Sequence, residues 1–163
     1  MSKLRPDMHV KRIADIDLDY LWQLGIRGLV FDLDNTLTPW RVYQPNLEIV
    51  NWFRDLRQRG FAACILSNSM HGRVQQVNEW LDIPVLGNSK KPLQSGFCLA
   101  KKTLDMEAAQ LAMIGDQLLT DIYGGNLAGF YTILTDQLDD KEGWGTRHIS
   151  RRLEKLIRKI CHR

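Results

Sequence analysis

Cysteine is scarce in this chain, and its three copies form no pattern. Cys64 lies inside an apolar run, and Cys98 and Cys161 lie in helix-like stretches, so no disulfide framework is expected. No CxxC or Cys/His pair stands at metal-ligand spacing, and nothing points to zinc. Long apolar runs are missing as well. Gly28–Phe31 and Phe61–Leu66 fall far short of the roughly 18 residues that a membrane span demands. Met1–Lys11 has no apolar h-region, so no secretory signal is expected, and reduced thiols fit a cytoplasmic setting. Linkers, repeats and low-complexity tracts are absent. With 163 residues, 44% hydrophobic and 25% charged, the chain reads as one globular domain rather than a disordered one.

The charge is unevenly placed. From Thr146 to Arg163 there are seven basic residues (Arg147, Arg151, Arg152, Lys155, Arg158, Lys159 and Arg163) and one acid, Glu154. This end carries +6 of a formal net charge of +3, so the body is mildly acidic.

Short apolar runs alternate with helical patterns. Gly28–Asp32, Phe61–Ser67, Pro84–Leu86, Ala112–Gly115 and Tyr131–Leu134 read as strands. Pro45–Arg59, His71–Leu81, Pro92–Leu104 and Leu118–Ala128 read as helices, with apolar residues at helical spacing and Gly60 as a stop signal. Residues before Leu24 read as one or two short helices, an extension over 1–24. Asp136–Gly145 reads as a loop. A basic helix is expected at about 149–162, with Leu153, Leu156, Ile157 and Ile160 along one side. Such alternation predicts an α/β fold, a three-layer Rossmann-like core with a parallel sheet and helices on both faces.

In an open α/β sheet, ligands bind beyond the carboxyl ends of the strands. The residues that follow each apolar run are therefore the informative ones. They are Asp32-Leu33-Asp34-Asn35-Thr36, Ser67-Asn68-Ser69 and Gly115-Asp116, with Asp121 further on and Lys90-Lys91-Pro92 ahead of a helix. Several carboxylates at one place repel one another unless a cation neutralises them. Oxygen ligands without Cys or His suit Mg²⁺. A carboxylate is able to attack phosphorus, and a second one two residues later is able to serve as general acid and then base. A serine hydroxyl, backbone amides and a lysine suit phosphoryl oxygens as charge develops.

This constellation resembles the haloacid dehalogenase (HAD) superfamily, over Gly28 to about Ala128 and with the motifs in family order. Closer still, the chain is similar to the YqeG-type phosphatases of that superfamily. The residues behind this likeness include Leu4-Arg5-Pro6, Gly25-Ile26-Arg27-Gly28, Asp32–Leu37, Lys91-Pro92 and Gly115–Asp121. These in turn resemble organellar phosphatidylglycerophosphatases. The resemblance implies Asp32 as nucleophile, Asp34 as acid/base, and Ser67, Asn68 and Lys91 on the phosphate. It implies Asp32, Asp116 and the Asp34 backbone carbonyl on Mg²⁺, with Thr36 and Asp121 behind them. Phosphatidylglycerophosphate is the implied substrate.

Ser67 follows Asp34 by 33 residues and Lys91 follows Ser67 by 24, which leaves no room for a cap domain over the site. An open site suits a phosphate on a bulky substrate. A phosphoprotein, a nucleic-acid end and a nucleotide stand as alternatives to a lipid head group. A phospho-accepting signalling module is disfavoured, because its acceptor lies on a middle strand, whereas here the DxD follows the first recognised strand. The basic helix fits peripheral contact with an anionic membrane. Aromatic residues do not interleave with its charges, which disfavours nucleic acid. Trp40 and Tyr43, in the segment after the catalytic loop, and His71 are further residues near the expected site.

Overall fold

The computed structural model describes residues 3–39, 42, 44–69 and 71–138, with backbone alone for 71–75. The expected basic helix at 149–162 lies outside the described residues, as do Trp40, Tyr43 and the side chain of His71.

Six parallel strands form one sheet in the order β1-β6-β5-β2-β3-β4. They are β1 (Met8–Val10), β2 (Gly28–Phe31), β3 (Ala62–Leu66), β4 (Val85–Leu86), β5 (Leu111–Gly115) and β6 (Tyr131–Thr135). The helices are α1 (Leu18–Gln23), α2 (Leu47–Gln58), α3 (His71–Leu81), α4 (Gln94–Leu104) and α5 (Tyr123–Ala128). Strands β2 and β5 are buried along their whole length. That is why they read as continuous apolar runs: both faces of a parallel sheet are covered. Leu29 and Phe31 face one apolar layer with Phe53, Leu56, Val77 and Leu81. Val30 faces the other, with Cys64, Leu66, Phe97 and Met113. In the first layer Phe31, Trp52 and Phe53 meet in edge-on or tilted contacts at 4.9–5.8 Å, a favoured geometry for aromatic pairs. In the second, burial pushes the Cys64 thiol up to about 12, so it is an inert core residue.

The chain punctuates these elements locally. Asn46 caps α2 by accepting a hydrogen bond from the Ile49 N–H at 2.9 Å. Gly60 closes α2 with φ +87°, a left-handed conformation that glycine adopts without strain. Among the described residues, the stretch between β2 and β3 holds a loop and α2, and the stretch between β3 and Lys91 holds α3 and β4. No cap domain lies among the described residues of either gap. No helix of the described residues is long and apolar enough to cross a membrane.

Two expectations need correction. The segment before Leu24 is helical only in part. Met8–Val10 is a strand, paired with β6 from Met8↔Ile133 to Val10↔Thr135. Three residues are too few for a period-two pattern to register, and the strand owes its conformation to the neighbouring sheet edge. The helix expected over Leu118–Ala128 is also not uniform. Leu118–Ile122 is one wide π turn, and α-helical geometry begins at Tyr123. Apolar spacing does not separate the two, and such turns recur where a side chain is re-aimed at a functional site.

Candidate active site

The order of strands places β2 between β3 and β5, where the connections reverse direction across the sheet. This is the position at which open α/β sheets form a crevice. Phe31 pairs with Ile65 on one side and Ile114 on the other, so Asp32, Ser67 and Asp116 leave the sheet at one edge. The register is carried one step further by the Asp32 N–H, which donates to the Ile114 carbonyl at 2.8 Å.

Three carboxylates converge there. One oxygen from each of Asp32, Asp116 and Asp121 lies within 4.8 Å of the others, and all three residues are buried. Lys91, with a side chain 1% exposed, sits among them. Its ammonium donates to Asp32 Oδ1 at 2.7 Å and to Asp121 Oδ1 at 2.6 Å. Two of its three N–H groups are thereby spent on carboxylates. One lysine thus stands against three carboxyl groups in a buried cluster. Burial drives the Asp32 carboxyl well above the usual carboxylate range; Lys91 opposes this, while Asp121 and Asp116 add to it. Burial pulls the Lys91 ammonium down, but attraction to Asp121 and Asp32 outweighs it and leaves it raised.

Asp32 Oδ2 is buried and has no hydrogen-bond partner among the described residues. A buried anionic oxygen of this kind, beside a charge deficit and an all-oxygen donor set, fits a hard divalent cation. Asp32 and Asp116 are the side chains placed to hold it, with Asp121 within 4.8 Å of both and already engaged by Lys91 and the Gln117 N–H.

The remaining expected residues surround this cluster. Asp34 does not join it through its side chain; its Oδ2 accepts a 2.6 Å hydrogen bond from Ser69 Oγ. Ser67 is fully buried, and its Oγ accepts the Ser69 N–H at 3.1 Å, which leaves its own hydroxyl proton to donate. The Asn68 side chain, expected on a phosphate, is engaged with the chain around Lys91. Its Oδ1 accepts from the Lys91 N–H at 2.7 Å and from Ser89 Oγ at 2.9 Å, and its Nδ2 donates to the Lys91 carbonyl at 3.2 Å. Thr36 Oγ1 donates to Asp116 Oδ1 at 3.4 Å. Asp121 is held from its own π turn, its Oδ2 accepting the Gln117 N–H at 3.1 Å.

Two residues take part in the site without having been given a role there. Ser69 holds Asp34, and Gln137, just past β6, donates from Nε2 to Asp116 Oδ2 at 3.0 Å. A hydroxyl two residues after Ser67 was the only available signal for the first. The second had none. A pocket of about 300 Å³ lies beside the catalytic loop, lined partly by Thr36, Leu37, Ile49 and Leu138. None of the three clustered carboxylates lines it, so it is not the chemical centre.

Gly115 shows how closely the parts fit. A Cβ at this position would fall on the Asp121 carboxylate. Gly115→Ala is expected to push Asp121 away from Lys91 and to cost about 10–100-fold in metal affinity or turnover, the usual penalty for disturbing an orienting group. Titration of activity against divalent cation measures it.

A parallel three-layer sheet with these acids and this lysine at its carboxyl edge is that of a HAD-type phosphatase, a hydrolase of phosphoric monoesters. Its fold is similar to that of the cobalt-bound deoxy-D-mannose-octulosonate 8-phosphate phosphatase from Haemophilus influenzae (TM-score 0.57, 16% identity, 69% of each chain covered). A family model described as mitochondrial PGP phosphatase matches residues 1–139, and the chain belongs to that family. It is 34% identical over 152 residues to the probable phosphatase YqeG of Bacillus subtilis, covering 93% of this chain and 88% of that one. It is 30% identical over 168 residues to phosphatidylglycerophosphate phosphatase 1, chloroplastic/mitochondrial, of Arabidopsis thaliana. That match takes in 94% of this chain but only 47% of the plant protein, so the chain spans about half its length.

Proposed function

We propose that the protein is a Mg²⁺-dependent phosphomonoesterase that works through an aspartyl-phosphate and acts on phosphatidylglycerophosphate. The observation that carries the chemistry is the buried cluster of Asp32, Asp116 and Asp121 around Lys91 at one sheet edge.

An Asp32 carboxylate oxygen attacks phosphorus, and the bond from phosphorus to the ester oxygen breaks. The leaving oxygen takes the proton of Asp34 and departs as an alcohol. Water then attacks the phosphorus of the aspartyl-phosphate, Asp34 accepts its proton, and the bond to Asp32 breaks to release inorganic phosphate. Ser69 fixes Asp34 for both proton transfers. The Ser67 hydroxyl and the third N–H of Lys91 donate to phosphoryl oxygens as negative charge develops, and Asn68 serves by fixing the Lys91 backbone. Asp32, Asp116 and the Asp34 carbonyl would hold Mg²⁺, with Asp121 and Thr36 orienting them. When bound, the cation neutralises the carboxylates and the phosphoryl group.

The substrate assignment draws support from the activity for which the plant relative is named and from the absence of a cap over the site among the described residues. An uncapped crevice admits a phosphate carried on a bulky, surface-held molecule. The basic end, net +6, suits a cytoplasmic protein that meets an anionic membrane from one side. Phosphate release from phosphatidylglycerophosphate in mixed micelles, beside an aryl phosphate and a phosphopeptide and with or without Mg²⁺, tests the whole reading. A Mg²⁺-dependent preference for the lipid is expected. Deletion of 149–163 is expected to slow the lipid reaction on anionic vesicles and to spare the aryl phosphate. Activity on the phosphopeptide alone would discard the lipid.

A further inference from the structure

Gln137 lies at the outer margin of the site, one residue before the end of the described chain. Its amide Nε2 donates to Asp116 Oδ2 at 3.0 Å. The other Asp116 oxygen accepts a longer bond, 3.4 Å, from Thr36. The Gln137 bond is thus shorter than the Thr36 bond. The backbone around it is fixed from both sides. The Leu138 N–H donates to the Asn35 carbonyl at 3.1 Å, which ties the exit of β6 to the catalytic loop. Asp136 accepts from or pairs with His9 Nε2 at 2.8 Å, which ties the same exit to β1. Three consecutive residues therefore anchor this turn to three different segments, with the Gln137 amide aimed at Asp116.

We infer that Gln137 is a positioning residue for the divalent cation. It holds the Asp116 carboxylate in the rotation that turns an oxygen toward the ion. The inference rests on the reading of Asp116 as a cation ligand. An amide suits the task because it donates without adding charge to a cluster that already has an anionic excess. Partners of this kind orient metal ligands, and their loss typically weakens metal binding.

Gln137→Met keeps the length and most of the bulk of the side chain and removes the donor. Because Gln137 is exposed on the surface, the variant is expected to fold. Mn²⁺ binding to the full chain, followed by electron paramagnetic resonance of the free ion, is expected to weaken by about 10–100-fold. The melting temperature in EDTA is expected to stay at the wild-type value. Saturating Mg²⁺ is expected to restore kcat, with the loss confined to the Mg²⁺ concentration needed for half activation. Gln137→Ala serves as the second variant, with the same expected direction. Unchanged Mn²⁺ affinity in both variants would overturn the inference, as would a kcat loss that saturating Mg²⁺ does not repair. Asp116→Asn separates the two levels. If it binds Mn²⁺ as the wild type does, or if the wild type binds none, the reading of Asp116 fails and the inference falls with it. If Asp116→Asn loses the ion and the Gln137 variants keep it, only the inference falls.

Discussion

Asp32→Asn is expected to lose turnover by at least about 10⁴-fold, because an amide does not form the acyl-phosphate on which both half-reactions of the proposed mechanism depend. The same substitution is expected to leave the metal-free protein as stable as wild type, or more stable, at neutral pH. Burial and the neighbouring carboxylates raise the Asp32 carboxyl well above its usual range, against the pull of Lys91. A carboxyl raised in this way binds its proton more tightly in the native chain than in the unfolded one. Its contribution to stability therefore falls as pH rises from the ordinary carboxylate value through the raised one. The amide carries no such penalty, and its oxygen is still able to accept from Lys91. In EDTA the difference in melting temperature, variant minus wild type, is thus expected to be larger at neutral pH than at about pH 4. Mg²⁺ is expected to narrow or reverse it, since ligand binding stabilises the chain that binds more tightly. Loss of activity accompanied by a collapse of the EDTA melting temperature would show Asp32 to be a structural residue.

The residues gathered at this edge were legible in the sequence because the sheet is parallel and buried on both faces. Each of β2, β3 and β5 advertises itself as an apolar run, and the first polar residue after each run must emerge at one edge. Asp32, Ser67 and Asp116 are those residues. Asp34 follows from the same step, and Lys91 from its place ahead of α4. Strand β1 was not legible, because Met-His-Val has no pattern of its own and takes its conformation from β6. The π turn at Leu118–Ile122 was not legible either, although it aims Asp121 back at Lys91. Its apolar residues satisfy an α-helix equally well.

What stayed hidden within the site has a common physical cause. The distance from Gln137 to Asp116 spans 21 residues, and that from Ser69 to Asp34 spans 35. Such contacts depend on side-chain directions that only the packed sheet fixes, and a glutamine after a strand or a serine in a loop is ordinary surface chemistry. Asn68 makes the same point in the opposite direction. The resemblance implies a phosphate contact for it, and the structure shows its amide bracing the backbone of Lys91, a residue 23 positions away. The strand-end rule places a residue at the crevice; it does not say which partner the residue takes there.

Lys91→Met is expected to produce the largest loss of stability of any single substitution in the site. The methionine side chain has similar length and keeps most of the packing, so the effect isolates the charge. The ammonium now lies between Asp32 and Asp121 at 2.7 and 2.6 Å, with Asp116 close by. Removing one partner of a buried ion pair and leaving the other uncompensated costs about 3–5 kcal/mol. In a domain of this size that corresponds to a fall in melting temperature of roughly 10 °C. Lys91 is raised by its partners, so its own contribution is fully present below the usual lysine value and is lost only as pH climbs through the raised one. The deficit in the variant is therefore expected across the neutral range. It is expected to shrink on acidification, as the exposed-to-repulsion carboxylates take up protons, and in Mg²⁺, as the cation replaces the missing positive charge. Turnover is a separate matter. Mg²⁺ restores compensation of the carboxylates but not the donor to the phosphoryl group, so kcat is expected to remain depressed at saturating Mg²⁺ by about 10²-fold or more. Recovery of both stability and kcat in Mg²⁺ would assign Lys91 to charge balance alone. Recovery of stability without kcat is the result that places the lysine on the phosphate as well.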